Sequence, residues 1–290
     1  MSQIRQIQNY DRGIRFLIFL RGDILRKSSI LHIAALALVL CLILCSCGGS
    51  KSSSDDELPI LTIGSDIYEP YFYVDVQYVG IDIDIATEAC KRLGYKAVFK
   101  QIKWQTKDSY LESGEVDCLW GSFTMNGREN RYTWAGPYMS SRQIVLVAED
   151  SGIYTLDDLN GKTLAVQNSS KPEELFLDGE LSDKIHLKNL YAFPSMANVI
   201  SAMKDGYVDA CAGHENAYRS YMKKWNGKFR ILDEPLLRAN LGVAFLKGTH
   251  EDFAQRLTDV LFEMKQDGTI ASILSAYNID AEAALSEELQ

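Results

Sequence analysis

The two stretches that decide the fold are Leu111-Glu-Ser-Gly-Glu-Val-Asp-Cys118 and Met203-Lys-Asp-Gly-Tyr-Val-Asp-Ala210. In each stretch a helical segment ends at a glycine, and an apolar strand that begins with Val-Asp follows it. The two glycines, Gly114 and Gly206, are 92 residues apart. This internal repeat predicts two α/β lobes with the same connections.

A polar loop follows the strand of each stretch: Gly121-Ser-Phe-Thr124 in the first and Gly213-His-Glu215 in the second. In open α/β sheets, ligands bind beyond the carboxyl ends of the strands. Ser122 and His214 each lie five residues after the Asp of their stretch. We therefore expect the two loops to face each other across a cleft.

Strands and helices alternate outward from these stretches, which indicates an α/β fold with mostly parallel sheets. The pattern begins with the strand Ile60-Leu-Thr-Ile-Gly64 and ends with a long amphipathic helix that includes Phe253 and Leu257 on its apolar face. A further helix is predicted at 269–277. The acidic tail after Asp280 is expected to fray.

The N-terminal segment has the opposite charge to the rest of the chain. Residues 1–46 carry a net charge of +4, whereas the whole chain carries −9. The apolar run Ile33–Cys45 has thirteen residues, which is short for a bilayer span of roughly 20 residues but typical of a signal peptide. Its end, Leu44-Cys45-Ser46-Cys47-Gly48-Gly49, resembles a bacterial lipobox.

The lipobox predicts a lipoprotein signal peptide over residues 1–46 and lipidation of Cys47. A plain membrane anchor or an ordinary cleaved signal is the alternative. The polar residues 47–57 predict a flexible tether, which would hold the protein at the membrane without spanning it.

The composition argues against several other classes of protein. A formal charge of −9 is opposite to the basic footprint of a nucleic-acid-binding protein. The three cysteines of the body, Cys90, Cys118 and Cys211, are interpreted as buried small hydrophobes and not as a disulfide framework. The scattered histidines have no metal-ligand spacing, so neither a metal nor a cofactor is expected.

Several short stretches between Leu61 and Ile279 resemble, in their order and spacing, the solute-binding proteins of family 3, the polar amino-acid receptors of ABC importers. They are Gly80-Ile-Asp-Ile-Asp-Ile-Ala86, Tyr110-Leu-Glu-Ser-Gly-Glu-Val-Asp117 after Trp104, Trp134-Ala-Gly-Pro-Tyr138 after Arg128, Leu156-Asp-Asp-Leu-Asn-Gly-Lys-Thr-Leu-Ala-Val166 and Gly206-Tyr-Val-Asp-Ala210.

The resemblance implies a two-lobed periplasmic-binding-protein type II fold with two crossover hinge strands, near Gln143–Ala148 and Arg238–Ala244. Lobe 1 would comprise residues 58–145 plus 240–290, and lobe 2 would comprise residues 146–239.

A carboxylate site is predicted in the first polar loop. Arg128 is the best candidate, because a guanidinium binds a carboxylate with two parallel hydrogen bonds. The resemblance implies that Ser122 and Thr124 hold the same group, although one extra residue precedes Arg128. Arg131 is the competing candidate, and a surface position in a polar loop is the structural alternative.

Ser169, Ser170 and Lys171 precede a helix that starts near Pro172, where backbone N–H groups favour an anion. The resemblance implies that this segment binds the same carboxylate as Arg128. A helix cap without a ligand is the alternative interpretation.

Asp66, Tyr68, Trp104 and Phe123 are the candidates for contact with the ligand side chain, and core packing is the alternative for the aromatic residues. His214 stands where members of the family that bind α-amino acids usually have an Asp. Neutral His accepts one hydrogen bond but supplies no negative charge. The adjacent Glu215, or Asp66, could replace that charge, or the ligand could be of another class. A structural His that caps the following helix is the remaining alternative.

These features predict an extracytoplasmic lipoprotein, acting as a monomer, that captures a small molecule, expected to be an amino acid, for the permease of an ABC importer. One alternative is a dehydratase-like enzyme on the same fold, with Glu215 or His214 as acid or base. The other is a ligand sensor that signals through a separate membrane partner.

Overall fold

The computed structural model describes residues 58–177, 180–225 and 227–286. The chain divides into two units, Met1–Glu57 and Leu58–Gln290, and the description below concerns the second. The predicted signal peptide, Cys47 and the tether lie outside the described residues. No helix in the described ranges is long and apolar enough to cross a membrane.

The secondary structure alternates as the sequence predicts. The strands are β1 (Ile60–Ser65), β2 (Tyr73–Val74), β3 (Tyr78–Val79), β4 (Lys96–Gln101), β5 (Cys118–Leu119), β6 (Tyr132–Ala148), β7 (Thr163–Gln167), β8 (Asn189–Phe193), β9 (Ala210–His214), β10 (Phe229–Ile231) and β11 (Leu237–Leu246). The α-helices are α1 (Ile81–Leu93), α2 (Lys107–Glu112), α3 (Lys171–Leu177), α4 (Met196–Lys204), α5 (Glu215–Lys224), α6 (Glu251–Gln266), α7 (Thr269–Ala276) and α8 (Ala281–Leu285).

In the described part of the chain, nine strands form a mixed sheet. Eight of them follow the order β4-β1-β5-β11-β6-β9-β7-β8, and β10 pairs with β6. Parallel pairs lie toward both ends of this order, β1 with β4 and β5, and β7 with β8 and β9. The central strands β6 and β11 are antiparallel to each other. The predicted α/β fold is confirmed. The prediction of mostly parallel pairing was wrong, because four of the eight strand pairs described in this sheet are antiparallel and all of these involve β6 or β11.

The long strand β6 joins the two groups of parallel strands. Its residues 132–143 pair with β11, and its residues 143–147 pair with β9. β11 in turn pairs with β5. The segments predicted as crossover strands therefore lie in β6 and β11, and the chain crosses between the two groups there.

β6 begins eleven residues before the predicted strand at Gln143. The prediction missed its first part because Pro137 lacks a backbone N–H and is unusual inside a strand. The register between β6 and β11 shifts between Leu241 and Val243, near this proline. An irregularity in the pairing thus accommodates the missing donor.

The helix ends follow the sequence signals. Gly94 takes a left-handed conformation with φ 75° after α1, and the Ser195 side chain accepts a hydrogen bond from the Asn198 N–H at the start of α4. The tail prediction was wrong for residues 281–285, and residues 287–290 lie outside the described residues. Residues 281–285 form α8, because the Asp280 carboxylate accepts a hydrogen bond from the Ala283 N–H and Ala284 packs into the core.

The three cysteines of the described chain, Cys90, Cys118 and Cys211, are buried and carry free thiols. Burial raises the pKa of the Cys90 and Cys211 thiols to about 12. The interpretation of these residues as buried small hydrophobes is confirmed. They belong to the largest apolar cluster, which extends from β1 to α8.

Candidate functional site

A cavity lies where the loop after β5 meets the carboxyl ends of β7 and β9. Its free volume is about 30 Å³, close to the space of a single water molecule. The residues around it come from both groups of parallel strands. They are Asp66, Tyr68, Trp104, Gly121, Ser122, Phe123, Thr124, Arg128, Gln143, Gln167, Ser170, Lys171, Pro172, Ala212, Gly213 and His214.

The two polar loops face each other, as their spacing predicts, because Ser122 of the first and His214 of the second line the same cavity. Each loop contains a glycine with no room for a side chain. A Cβ on Gly213 would lie 2.7 Å from the Tyr68 hydroxyl, and one on Gly121 would collide with Ser65. Glycine at both positions therefore allows the loops to approach their neighbours closely.

Ser122 and Ser169 have left-handed backbones, with φ of 47° and 58°. Such conformations are costly for residues other than glycine and are frequent at functional sites. Asp82, at the start of α1, holds the Ser122 loop by accepting a 2.7 Å hydrogen bond from the Ser122 N–H. The strained loop is thus fixed by a buried carboxyl group.

The cationic side of the cavity is built around Arg128, which is 4% exposed. Its Nε donates a 3.0 Å hydrogen bond to Glu174 Oε2, and its Nη2 forms an ion pair with the same oxygen over 2.9 Å. The Lys171 Nζ lies 2.8 Å from Glu174 Oε1. One carboxylate from α3 therefore contacts both cations that line the cavity. Burial lowers the pKa of Arg128, and the negative charge of Glu174 opposes that shift.

Arg131, the competing candidate, is exposed, and its guanidinium lies 5.9 Å from the centre of the Tyr132 ring. Arg131 does not line the cavity. Of the two arginines, Arg128 alone is therefore placed to meet a bound anion.

The segment before α3 divides between the cavity and the helix. Ser170 and Lys171 line the cavity, and Ser169 does not. The Ser170 hydroxyl accepts a 3.3 Å hydrogen bond from the Glu173 N–H, which makes it a helix cap as well. Ser170 therefore acts as a helix cap. Because it also lines the cavity, a role for Ser170 in ligand binding stays a prediction.

The aromatic side of the cavity is formed by Tyr68, Trp104 and Phe123. Trp104 packs edge to face on Phe123 with 5.0 Å between the ring centres. The buried Lys107 places its Nζ 5.3 Å from the centre of the Trp104 ring, and desolvation lowers its pKa to about 8. Trp104 and Phe123 thus serve the core and the cavity together.

Asp66 is the one carboxyl group among the described residues that line the cavity. It accepts a hydrogen bond from the Gln167 side chain. Burial raises the pKa of Asp66 to about 6, and the Gln167 hydrogen bond only partly offsets that rise. This carboxyl group therefore changes its charge near neutral pH.

His214 lies directly opposite Gln143 in the antiparallel pairing of β6 and β9. The Gln143 Nε2 is 2.9 Å from His214 Nε2. Desolvation lowers the pKa of His214 to about 3, so its ring is neutral at physiological pH. The position where an acid was expected by resemblance therefore carries no charge.

Glu215 does not line the cavity. Its carboxylate pairs with Arg219 at 2.6 Å and with Arg142 at 3.4 Å. It borders a separate, larger cavity of 690 Å³ beside α5 and the C-terminal helices. His214 ends β9 and Glu215 starts α5, and their side chains point in different directions.

Four residues of the site, Gln143, Gln167, Lys107 and Glu174, were absent from the sequence-based prediction. Gln143 and Gln167 are polar residues at one end of otherwise apolar strand segments. A polar residue at such a position is a sequence signal for a site, because ligands bind near strand ends in α/β sheets. Lys107 and Glu174 lie on short helices and carry no such signal, because their roles depend on how those helices pack.

The chain is similar in sequence to known proteins. The sequence profile of the bacterial extracellular solute-binding proteins, family 3, matches residues 61–279. The L-cystine-binding protein TcyA of Bacillus subtilis is 26% identical over 264 residues, which cover 85% of this chain and 96% of TcyA. The arginine-binding extracellular protein ArtP of the same organism is 25% identical over 237 residues, or 79% of this chain and 90% of ArtP.

Solved structures show the same fold. An ancestral arginine-binding protein bound to arginine superposes with a TM-score of 0.68 and 27% identity, covering 76% of this chain and 99% of its own. AncCDT-1, an ancestral amino-acid-binding protein described as a precursor of cyclohexadienyl dehydratase, superposes with a TM-score of 0.66 and 25% identity, covering 75% of this chain and 95% of its own. The predicted type II periplasmic-binding-protein fold is confirmed.

Proposed function

Because this chain belongs to the bacterial extracellular solute-binding proteins of family 3, we propose that it captures an amino acid in the cavity between β5, β7 and β9 and delivers it to an ABC importer. The observation that carries this proposal is the buried Arg128, whose guanidinium lines that cavity beside Lys171. Two buried cations favour an anionic group in the ligand, and a guanidinium suits a carboxylate. The relatives TcyA and ArtP are named for binding amino acids.

A free volume of about 30 Å³ is too small for an amino acid. The two sides of the cavity must therefore separate to admit one. We assign the motion to two lobes, residues 58–145 plus 240–290 and residues 146–239, hinged at β6 and β11. A ligand that contacts both lobes would then favour the closed form, which the importer would recognise.

The location outside the cytoplasm follows from the family. The finer proposal is that Cys47 carries the lipid, that residues 47–57 form the tether and that a monomer is presented to the permease. This arrangement is supported by the Ser-Cys-Gly-Gly sequence at the end of the apolar run.

A dehydratase-like enzyme is the second candidate, favoured by the similarity to AncCDT-1. Of the acid–base groups expected for it, Glu215 lies outside the cavity and His214 has a pKa lowered to about 3. Asp66, which lines the cavity and whose pKa burial raises to about 6, is the group placed to move a proton there. Incubation with carboxylated cyclohexadienes, followed by chromatography of the products, tests this candidate. Tight binding without turnover would exclude it for those substrates.

A thermal-shift screen of the purified protein against the standard L-amino acids and L-cystine tests the main proposal. A ligand at about 100 times its Kd should stabilise the protein by roughly 2.7 kcal/mol. Arg128→Ala should abolish the shift, and Arg131→Ala, at the exposed neighbour, should retain it. The absence of a shift with every compound would contradict the proposal.

A further inference from the structure

The Gln143 side chain, which lines the cavity, has an acceptor atom that is unpaired among the described residues. Gln143 is 1% exposed and lines the cavity. Its Nε2 lies 2.9 Å from His214 Nε2 and 3.3 Å from Thr124 Oγ1. Its Oε1 is buried and has no hydrogen-bond partner among the described residues. Buried carbonyl oxygens are usually paired, and an unpaired one carries the full penalty of its desolvation.

His214 holds the Gln143 amide in this orientation. A neutral imidazole has one nitrogen that donates and one that accepts a hydrogen bond. The Gln143 amide nitrogen can only donate, so the His214 Nε2 that lies 2.9 Å from it must be the accepting nitrogen. No lone pair of His214 is therefore left for a ligand. The acceptor on this side of the cavity is Gln143 Oε1.

We propose that Gln143 Oε1 accepts a hydrogen bond from the amino group of the bound ligand, and that Gln143 thereby selects α-amino acids over carboxylic acids that lack the amine. His214 is a positioning residue, because it acts through Gln143. The inference rests on the proposed function and deepens it. The partner of the ligand amino group is then an uncharged amide, although a carboxylate at this place would also neutralise the charge of that group.

The charge of the ligand agrees with this assignment. An amide oxygen accepts from an ammonium group but does not cancel its charge, and a buried unpaired charge is costly. Asp66 is the one carboxyl group among the described lining residues and can supply the compensating charge. The ligand class is therefore a small molecule with a carboxylate for Arg128 and a nitrogen donor for Gln143.

A thermodynamic cycle between the protein and the ligand tests this proposal. Isothermal titration is done on the wild type and Gln143→Met with an amino acid that binds in the screen and with its analogue that lacks the amine. These pairs are L-arginine with guanidinovalerate and L-glutamine with glutaramate. We expect the preference for the amino acid to shrink about tenfold in Gln143→Met, because one hydrogen bond to a charged group is lost.

A purely structural role of Gln143 would weaken both ligands of a pair equally, and that result would overturn the inference. Gln143→Glu is the second variant, needed if Gln143→Met does not fold. It should bind the amino acid more tightly relative to its analogue, because it places a carboxylate beside the ammonium group. An unchanged ratio in a folded variant would also overturn the inference.

The two failures can be told apart. If the wild type binds none of the amino acids, the proposed function fails, and this inference falls with it. If the wild type binds an amino acid and the cycle shows no coupling, only the role of Gln143 is lost.

Discussion

The Glu174 carboxylate is bound to the Arg128 guanidinium through a single oxygen, Oε2, which lies 3.0 Å from Nε and 2.9 Å from Nη2. Its other oxygen contacts the Lys171 ammonium group. An acid of the protein therefore holds the cations that we assign to the ligand carboxylate. Glu174 is an internal competitor of an anionic ligand.

Removal of this competitor should strengthen binding. We expect Glu174→Ala to lower the Kd of an amino acid, because the ligand carboxylate no longer has to replace the Glu174 carboxylate at Arg128. The decrease should be only about three- to tenfold, because Glu174 is partly exposed and ion pairs of partly exposed groups contribute little. Isothermal titration at two salt concentrations measures the effect. Glu112→Ala, which removes an exposed acid from α2, is the control and should leave the Kd unchanged. Weaker binding by Glu174→Ala would show that Glu174 positions Arg128.

Binding should depend on pH through Asp66. Burial raises the pKa of Asp66 to about 6 in the ligand-free protein, and a ligand ammonium group in the same cavity favours the ionised carboxylate. The affinity should therefore fall about tenfold as the pH drops from 7 to 5. Titration calorimetry at both values measures this change, and Asp66→Asn should remove it. His214, with a pKa of about 3, does not titrate in this range. An equal wild-type affinity at both pH values would contradict the prediction.

Gly213→Ala should damage the site without unfolding the protein. The new Cβ would lie 2.7 Å from the Tyr68 hydroxyl and 3.1 Å from a ring carbon of Tyr218. Tyr68, which lines the cavity and accepts a hydrogen bond from the His214 N–H, must then move. We expect a loss of affinity of tenfold or more, measured by calorimetry.

Gly152→Ala is the control for that substitution. Gly152 has φ 68° and no neighbouring atom within 4 Å of the new Cβ. This change should cost about 1 kcal/mol of stability through backbone strain and leave binding intact. If the two variants lose the same affinity, close packing at Gly213 has no special role.

The free energy of unfolding should decrease as the pH rises through the range set by Asp82. This buried carboxyl accepts hydrogen bonds from the Tyr138 hydroxyl and the Ser122 N–H, yet desolvation raises its pKa from 3.8 to about 7. The folded protein therefore binds this proton more tightly than the unfolded chain does. Ionisation of Asp82 between about pH 4 and pH 7 should lower the free energy of unfolding by on the order of 4 kcal/mol.

Urea unfolding at pH 4.5 and pH 7 measures this loss. Asp82→Asn should show a smaller decrease than the wild type, with a remainder from Asp66, whose shift has the same sign. Asp267, whose pKa is lowered to about 2, acts below this window. A wild-type stability that rises across the window would contradict the assignment.

The repeat around Gly114 and Gly206 was enough to predict the strand ends that form the cavity. Local sequence signals predict the positions of these strand ends, because the glycine, the turn and the following strand are adjacent in sequence. Ten of the twelve predicted side chains line the cavity, and Ser169 and Glu215 do not. Their roles in binding stay predictions.

The contacts of Glu174 and Gln143 could not be derived in the same way. Glu174 reaches Arg128 only after α3 packs beside the loop that follows β5, and no local pattern encodes that approach. The partnership of Gln143 with His214 depends on the register of β6 and β9. A shift of one residue would turn Gln143 to the other face of the sheet.

The buried thiols of Cys90, Cys118 and Cys211 have a practical consequence. With no exposed surface and raised pKa values, they should resist maleimide reagents at neutral pH. A cysteine introduced at Val76, which is 96% exposed on the β2–β3 hairpin, would then be the reactive thiol of the described chain. Fluorophores attached to two such engineered sites could follow opening of the cavity in solution while Cys90, Cys118 and Cys211 stay in place.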